Sequence, residues 1–518
     1  MSRLCFDVQT WVVSGARPSF YFASLILAAL AFACSDGDPE PNRTATSSAT
    51  ASVSAPSLPE GSVTFYGADP GDQAGAVVAG DFNGDAATDV AISASLADGP
   101  DGGRTDAGEV YMFLGPFAAG SVLDGGAKDQ DATFFGAAAG NNLGRALAAG
   151  DFNGDSIDDL AMAAPSAADG AGAIYVMFGG NLPSIGDFAL GSPDVLITGA
   201  APEDFAGIAL SSGDLDGDGR AELAIGGLLA DGPDGTRIDA GAVYVLSGGD
   251  MSPGEAIQVT AAQLILHGAS SGDHLGESMA IGDFNGDGLP DLIAVATFSA
   301  SNDGATPGAG RTNVVLSPAT GVIDLATQTG IPHVDGEDEG DQLGHSIGVG
   351  DTNADGADDL WLGAVSADGP DNSQDLAGEA VLVLGEPGSG RLSAAGRVYG
   401  PALEARLGRS AASGDLDGDG KAELMIAAPN VASRAGAVYV FRGGDELPSS
   451  SNDATRTIPG MDSGDILGHE SLGVPALHVA LSGGSPILLI SAPGGDGPDN
   501  NREDCGEVYL VPGEALFD

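Results

Sequence analysis

Six near-copies of one acidic stretch predict an all-β protein, a seven-bladed β-propeller of four-stranded blades. The copies are AGDFNGDAATDVAISAS (79–95), AGDFNGDSIDDLAMAAP (149–165), SGDLDGDGRAELAIGGL (212–228), IGDFNGDGLPDLIAVAT (281–297), VGDTNADGADDLWLGAV (349–365) and SGDLDGDGKAELMIAAP (413–429). Their leading aspartates, Asp81, Asp151, Asp214, Asp283, Asp351 and Asp415, lie 70, 63, 69, 68 and 64 residues apart. The second observation is local. Each unit offers four strand-like segments: one ending at a Gly that often follows an aromatic, one entering the acidic loop, one leaving it, and an alternating run such as AGAIYVMFGG (171–180). No amphipathic helix pattern of useful length appears. The third is size. A chain of 518 residues exceeds the roughly 250–300 that one ordinary core serves. Repeats arranged radially escape that limit, and 83 glycines with 5% aromatics suit short strands and tight turns.

Taken in order, the N-terminus reads as a targeting segment, residues 1–33. Arg3 and Arg17 precede an apolar run, Ser19 to Cys34, too short for a comfortable membrane span of about 20 residues. It ends in Ala31-Phe32-Ala33-Cys34, which resembles a bacterial lipobox and makes Cys34 the expected lipidation site. An ordinary secretory cleavage or an uncleaved anchor are the alternatives. Residues 34–61, rich in Ser, Thr, Ala and Pro, bury too little to offset ordering entropy and read as a flexible tether. The propeller occupies 62–518.

The glycines ahead of the seven loops are Gly67, Gly136, Gly199, Gly268, Gly336, Gly400 and Gly460. The seventh unit, Gly464–Pro493, keeps the Leu-Gly approach and the apolar exit, but its loop region, Val479 to Ile487, has no acidic residue. The first strand, Ser62–Tyr66, has no blade of its own. It is expected beside GEVYLVPG (506–513) in the last blade, closing the ring.

The acidic loops follow Asp-x-Asn/Asp-x-Asp-x-x-x-Asp/Glu. Side chains at positions 1, 3 and 5 of a tight loop point to one side, and the carbonyl of position 7 and the carboxylate of position 9 complete six or seven oxygens, the shell Ca²⁺ takes. The first loop offers Asp81, Asn83, Asp85, the Ala87 carbonyl and Asp89; the second Asp151, Asn153, Asp155, the Ile157 carbonyl and Asp159. The third offers Asp214, Asp216, Asp218, the Arg220 carbonyl and Glu222; the fourth Asp283, Asn285, Asp287, the Leu289 carbonyl and Asp291. The fifth has Asp351, Asn353, Asp355, the Ala357 carbonyl and Asp359; the sixth Asp415, Asp417, Asp419, the Lys421 carbonyl and Glu423. Up to six Ca²⁺ ions are therefore expected, one in each of blades one to six. Position 6 is Gly in the last four loops but Ala86 and Ser156 in the first two, so those two are expected to bind more weakly if that position needs φ > 0.

Phe/Tyr-Gly, then Leu-Gly, then Gly-Asp-Phe-Asn-Gly-Asp, then Asp-Leu-x-Ile-x-Ala-Pro together resemble the FG-GAP repeat of integrin α subunits and many bacterial surface proteins. The resemblance spans roughly Ser62 to Asp518. It implies the N-terminal integrin α type of propeller, with loops that bind Ca²⁺.

Catalytic signals are poor. Gly344-His345-Ser346-Ile347-Gly348 matches G-x-S-x-G but sits in a strand entering an acidic loop, not at a strand-to-helix elbow. The six histidines show no metal-ligand spacing, no phosphate-binding glycine loop is visible, and no catalytic residue is assigned. Cys505 is read as an idle thiol, a reactive or intermolecular thiol being the alternative. ADGPDG (97–102), recurring at 231–235, 368–372 and 496–500, reads as a hairpin tip or a ligand-contacting rim.

With 18 Lys+Arg against 74 Asp+Glu, the net charge of −56 excludes nucleic acid and anionic membrane surfaces as partners. Membrane contact is expected only through the lipid anchor. The leading expectation is an exported, monomeric, non-enzymatic propeller at the cell envelope, outer membrane or cell surface, or else secreted, recognising a surface protein or glycan. A carbohydrate-active or other hydrolytic enzyme using the central face is the alternative.

Overall fold

Seven sheets, each with four antiparallel strands, make up the computed structural model, which describes residues 57–517 apart from 181, 184, 190, 192, 302–303, 305, 389–391, 445–447, 470–475 and 483–484. The segment read as a signal peptide, Cys34, and the tether up to residue 56 lie outside the described residues. Of the remaining stretch, Leu58 packs against core residues and Pro59 is buried.

Blade one runs Ala76–Gly80, Asp89–Ala94, Glu109–Phe113 and Ala132–Phe135 from the inside out, and every blade repeats that order. The first strands of neighbouring blades stand side by side around the axis. The ring closes as expected: Val63–Tyr66 pairs antiparallel with Glu507–Pro512, Val63 opposite Leu510 and Tyr66 opposite Glu507.

Each blade presses both faces against its neighbours, so second strands such as Asp89–Ala94 and Leu160–Ala164 are buried along their whole length. The alternating run around Ala173–Met177 is likewise buried throughout, because no face of the sheet meets solvent there. Seven separate apolar clusters follow, one at each blade–blade interface. The cluster at the ring closure joins Val63 and Phe65 to Tyr111, Phe113, Leu489 and Val508. Seven thin cores replace the single core that a chain of this length outgrows.

The repeated Gly that follows the fourth strand is required by close backbone approach. A Cβ on Gly136, Gly199 or Gly460 would lie 1.9, 1.7 or 1.8 Å from the carbonyl oxygen of Ala107, Ala171 or Ala435. At Gly67 the oxygen belongs to Cys505. Cys505 thus fills the small-residue position that alanine takes in other blades. It is buried, and burial pushes its thiol up to about 12, which keeps it protonated.

The structure adds an element that the four-strand count missed. Blades one, two, three and seven carry a fifth, parallel strand at the outer edge: Ile185–Asp187, Glu255–Gln258, Gly321–Asp324 and Val122–Asp124. Each lies in a later connection of the chain and covers the edge of the preceding blade, where unpaired N–H and C=O groups would invite association. Segments of three or four residues leave no periodic signature.

In blade seven the first two strands leave no room for an acidic loop of this length. Ser482 pairs with Ser485, leaving two residues for a connection that takes eight between Gly80 and Asp89.

Candidate metal centres

All six acidic loops lie at the end where the first strand of a blade turns into the second, so they share one face of the propeller. Each is built the same way. The position-1 carboxylate accepts the N–H of position 6: Asp81 from Ala86, Asp151 from Ser156, Asp214 from Gly219, Asp283 from Gly288, Asp351 from Gly356 and Asp415 from Gly420, at 2.8–3.0 Å. The position-5 carboxylates of Asp85, Asp155, Asp218, Asp287, Asp355 and Asp419 accept from the N–H groups of Ala87, Ile157, Arg220, Leu289, Ala357 and Lys421. These bonds wrap the backbone around the acids and leave carboxylate lone pairs unspent.

At position 3, Asn83, Asp216, Asn285, Asn353 and Asp417 accept from the position-5 N–H. Asn153 instead donates its amide to Asp159.

Position 9 behaves differently from the rest. Asp89, Asp159, Glu222, Asp291, Asp359 and Glu423 are 0% exposed. Each accepts the N–H of position 2: Phe82, Phe152, Leu215, Phe284, Thr352 and Leu416. Five also accept an N–H after the third strand: Asp89 from Gly115, Asp159 from Gly179, Asp291 from Ser317, Asp359 from Gly385 and Glu423 from Gly443. Sequence reasoning assigned them to metal alone; the fold also uses them to fix the loop to the blade. Burial raises these carboxyls to about 6 in Asp89, Asp291 and Asp359 and to about 7 in Asp159, Glu222 and Glu423.

Two loops bring three acidic ligand atoms within 4.8 Å of one another among the described residues: Asp214, Asp216 and Asp218, and Asp415, Asp417 and Glu423. In loops one, two, four and five an Asn takes one acidic place. The donors fit a hard cation. All are oxygens, and Glu222 keeps one buried oxygen, Oε1, without a hydrogen-bond partner. Asp214, Asp216, Asp218 and Glu222 would hold the ion in loop three.

Backbone geometry bears out the positive φ at position 6: Ala86 has φ 64° and Ser156 φ 69°, against 85–90° for Gly219, Gly288, Gly356 and Gly420. Position 4 shares the demand and was not anticipated. There Gly84, Gly154, Gly217, Gly286 and Gly418 have φ 66–80°, whereas the fifth loop places Ala354 at φ 59°. Only loops three, four and six have Gly at both positions.

Neighbouring loops are also tied together. The N–H at position 8 donates to the position-1 carbonyl of the preceding loop: Asp158 to Asp81, Ala221 to Asp151, Asp358 to Asp283 and Ala422 to Asp351. In the fourth loop that residue is Pro290, which has no N–H.

On the opposite face the Asp-Gly-Pro-Asp turns are built structures. Asp98, Asp231, Asp368 and Asp496 each accept an N–H eight residues on. An arginine six residues on reaches the next element. Arg104 pairs with Asp187, Arg237 with Asp324 and Arg502 with Asp124, each Asp closing a fifth strand. The same arginines donate to the carbonyls of Gly136, Gly268 and Gly67. Blade five has Gln374 at this position, and among the described residues only an isolated parallel bridge, Tyr399 to Ser450, at its outer edge. The signal was present as Asp-Gly-Pro-Asp-x-x-Arg; its partners, up to 435 positions away, were not.

Ser346 of the G-x-S-x-G match lies within the inner strand Leu343–Gly350, buried, donating to the Gly408 carbonyl at 2.8 Å. It is not at an elbow. The central channel holds a cavity of about 340 Å³ whose lining includes Glu277, His345, Ser346 and His478.

Comparison with known proteins agrees with this architecture. The FG-GAP repeat matches residues 143–177, 206–246, 275–311 and 407–441, that is, blades two, three, four and six. Integrin alpha-PS5 of Drosophila melanogaster is 28% identical over 297 residues, 56% of this chain and 27% of that protein. Phosphatidylinositol-glycan-specific phospholipase D of Bos taurus is 30% identical over 212 residues, 39% of this chain and 24% of that protein. The matches thus span about a quarter of the length of these relatives. Among solved structures, rhamnogalacturonan lyase YesW aligns over 75% of this chain and 68% of its own, at 12% identity and TM-score 0.32. The chain is a seven-bladed β-propeller built from FG-GAP repeats. Over those blades it is similar to integrin α subunits.

Proposed function

We propose that this chain is a calcium-stabilised recognition module, exported and held at the cell envelope through Cys34, that binds a surface protein or glycan without transforming it. The convergence of three acidic ligand atoms within 4.8 Å in loops three and six carries the cation part. Carboxylates that close repel unless a cation sits among them, and oxygen-only donors on a flexible loop suit Ca²⁺ better than strictly octahedral Mg²⁺. The integrin α relative supports a recognition role. Ions at six hairpins would stiffen one face and leave the opposite face, with its longer turns, for ligand. Calcium titration to millimolar concentration, followed by thermal melting, tests this; an unchanged melting temperature overturns it. Glycan-array binding without turnover supports the recognition part.

One observation favours a second reading. Glu277 and His345 both line the channel cavity, and Glu277 Oε2 is buried with no hydrogen-bond partner among the described residues. A carboxylate and an imidazole at a propeller axis could serve a hydrolytic or lyase reaction. Product release from polysaccharide or phospholipid, abolished in Glu277→Gln, would establish that reading and displace the first.

A further inference from the structure

The six acidic loops are not six separate turns. At four joints between neighbouring blades the N–H at position 8 donates to the position-1 carbonyl of the loop before it. Asp158 donates to Asp81 at 3.0 Å, Ala221 to Asp151 at 2.8 Å, Asp358 to Asp283 at 2.7 Å and Ala422 to Asp351 at 2.8 Å. Two of these joints carry a second bond. Asp158 Oδ2 accepts the Asp81 N–H, and Asp358 Oδ2 accepts the Asp283 N–H, each at 2.8 Å. Loops one and two, and loops four and five, are thus held through both backbone groups of a position-1 aspartate.

This line of bonds breaks in two places. Between loops three and four, position 8 is Pro290, which has no N–H, and no hydrogen bond joins the two loops among the described residues. A small cleft lined by Leu215, Asp216, Ser317, Pro318 and Thr320 opens at the same joint. The other break is blade seven, whose stretch from Val479 to Ile487 holds no acid. The ring therefore divides into two runs of three loops, one to three and four to six. Each run has a double joint followed by a single one.

Position 8 can transmit order because of where it stands. It lies between the position-7 carbonyl and the buried position-9 carboxylate, both in the candidate ligand set, and it grips the residue that opens the preceding loop. Ordering one loop about a cation fixes a position-1 backbone that the next loop already holds. The second loop then loses less freedom on binding than the first did, which is positive cooperativity.

We propose, resting on the calcium reading above, that the six loops take divalent cations as two cooperative triplets, one to three and four to six, uncoupled across the joint at Pro290. The buried Glu222 Oε1, without a hydrogen-bond partner, supports that underlying reading apart from the spacing of the acids.

Loop four carries the test. It has a bonded neighbour in loop five and an unbonded one in loop three, each one blade away, so removing a charge from either side changes its surroundings alike. Hydrogen exchange of the full chain, read by mass spectrometry from chelator to millimolar calcium, gives the calcium midpoint at which each loop becomes protected. Asp351→Asn in loop five should raise the midpoint of loop four by about 3–10-fold, the worth of one or two backbone hydrogen bonds. Asp214→Asn in loop three should leave loop four where it was while raising loop two. Pro290→Ala supplies the missing N–H, and in that background Asp214→Asn should move loop four as well. Circular dichroism melts check that each variant is folded. Equal shifts of loop four from its two neighbours, or no shift with Asp351→Asn, overturn the proposal and leave the calcium reading standing, because each loop still responds to calcium. Protection that ignores calcium in all six loops overturns both.

Discussion

Arg502 and Asp124 form an ion pair at 2.5 Å although 378 positions separate them. Arg502 belongs to the last blade and Asp124 to the strand that covers its outer edge, and the same guanidinium donates to the carbonyls of Gly67 and Ala68. One side chain therefore ties both chain ends of the propeller at the point where the ring closes. Arg502→Ala should lower stability by about 1–3 kcal/mol, since both partners are mostly buried and two carbonyls lose a charged donor. Urea unfolding measures it. Asp124→Asn should cost less, and the double variant should fall short of the sum, as residues in contact do. Additive losses would show that the pair does not act as a unit.

Calcium should stabilise the propeller in proportion to the loops that bind it. With dissociation constants of about 10⁻⁴–10⁻³ M, 10 mM Ca²⁺ contributes roughly 1.4–2.7 kcal/mol per site. Asp214→Asn and Asp415→Asn should each reduce the calcium-dependent gain in melting temperature. The same substitutions should leave the melting temperature in chelator unchanged or raised, because they remove repulsion.

Backbone strain should rank the loops. Ala86 and Ala354 hold φ 64° and 59°, where a Cβ costs about 1–2 kcal/mol. Ala86→Gly and Ala354→Gly should each stabilise the calcium-bound protein by about 0.5–1 kcal/mol, after the added freedom of the unfolded chain is counted. Gly219→Ala should do the reverse in loop three. Calorimetric titration would show the affinity following the same order.

The buried position-9 carboxyls set a pH dependence whose sign is opposite to the usual acid case. Burial raises Glu423 and Asp159 to about 7 and Asp89 to about 6, above their values in an unfolded chain. The folded state then holds more protons than the unfolded one between about pH 4 and 7, so stability falls as pH rises through that window. In chelator the melting temperature should be higher near pH 5 than near pH 8. Millimolar calcium should flatten or reverse that slope, because a bound cation favours the ionised form. A melting temperature that rises with pH in chelator would contradict this.

Much of the fold was legible in the sequence because its demands are local. A loop that wraps its backbone around Asp151 needs acids at fixed spacing and a residue that accepts positive φ, and both repeat along the chain. The same holds for Gly136, whose neighbour's carbonyl leaves no room for a Cβ. The stretch without acids between Val479 and Ile487 falls where the first two strands of blade seven pair as far as Ser482 and Ser485.

The tertiary structure alone decided the rest. That Asp159 and Glu423 are buried and hold backbone N–H groups follows from blades packing on both sides, which spacing does not reveal. The three-residue strands ending at Asp124 and Asp187 are too short for a period to appear, and they exist only because a neighbouring blade offers an open edge. Asp341 reads in the sequence as one more acid in an acidic chain. Only the fold gathers Arg397, Glu337 and Glu379 around it, since electrostatic balance belongs to the folded neighbourhood and not to the string of residues.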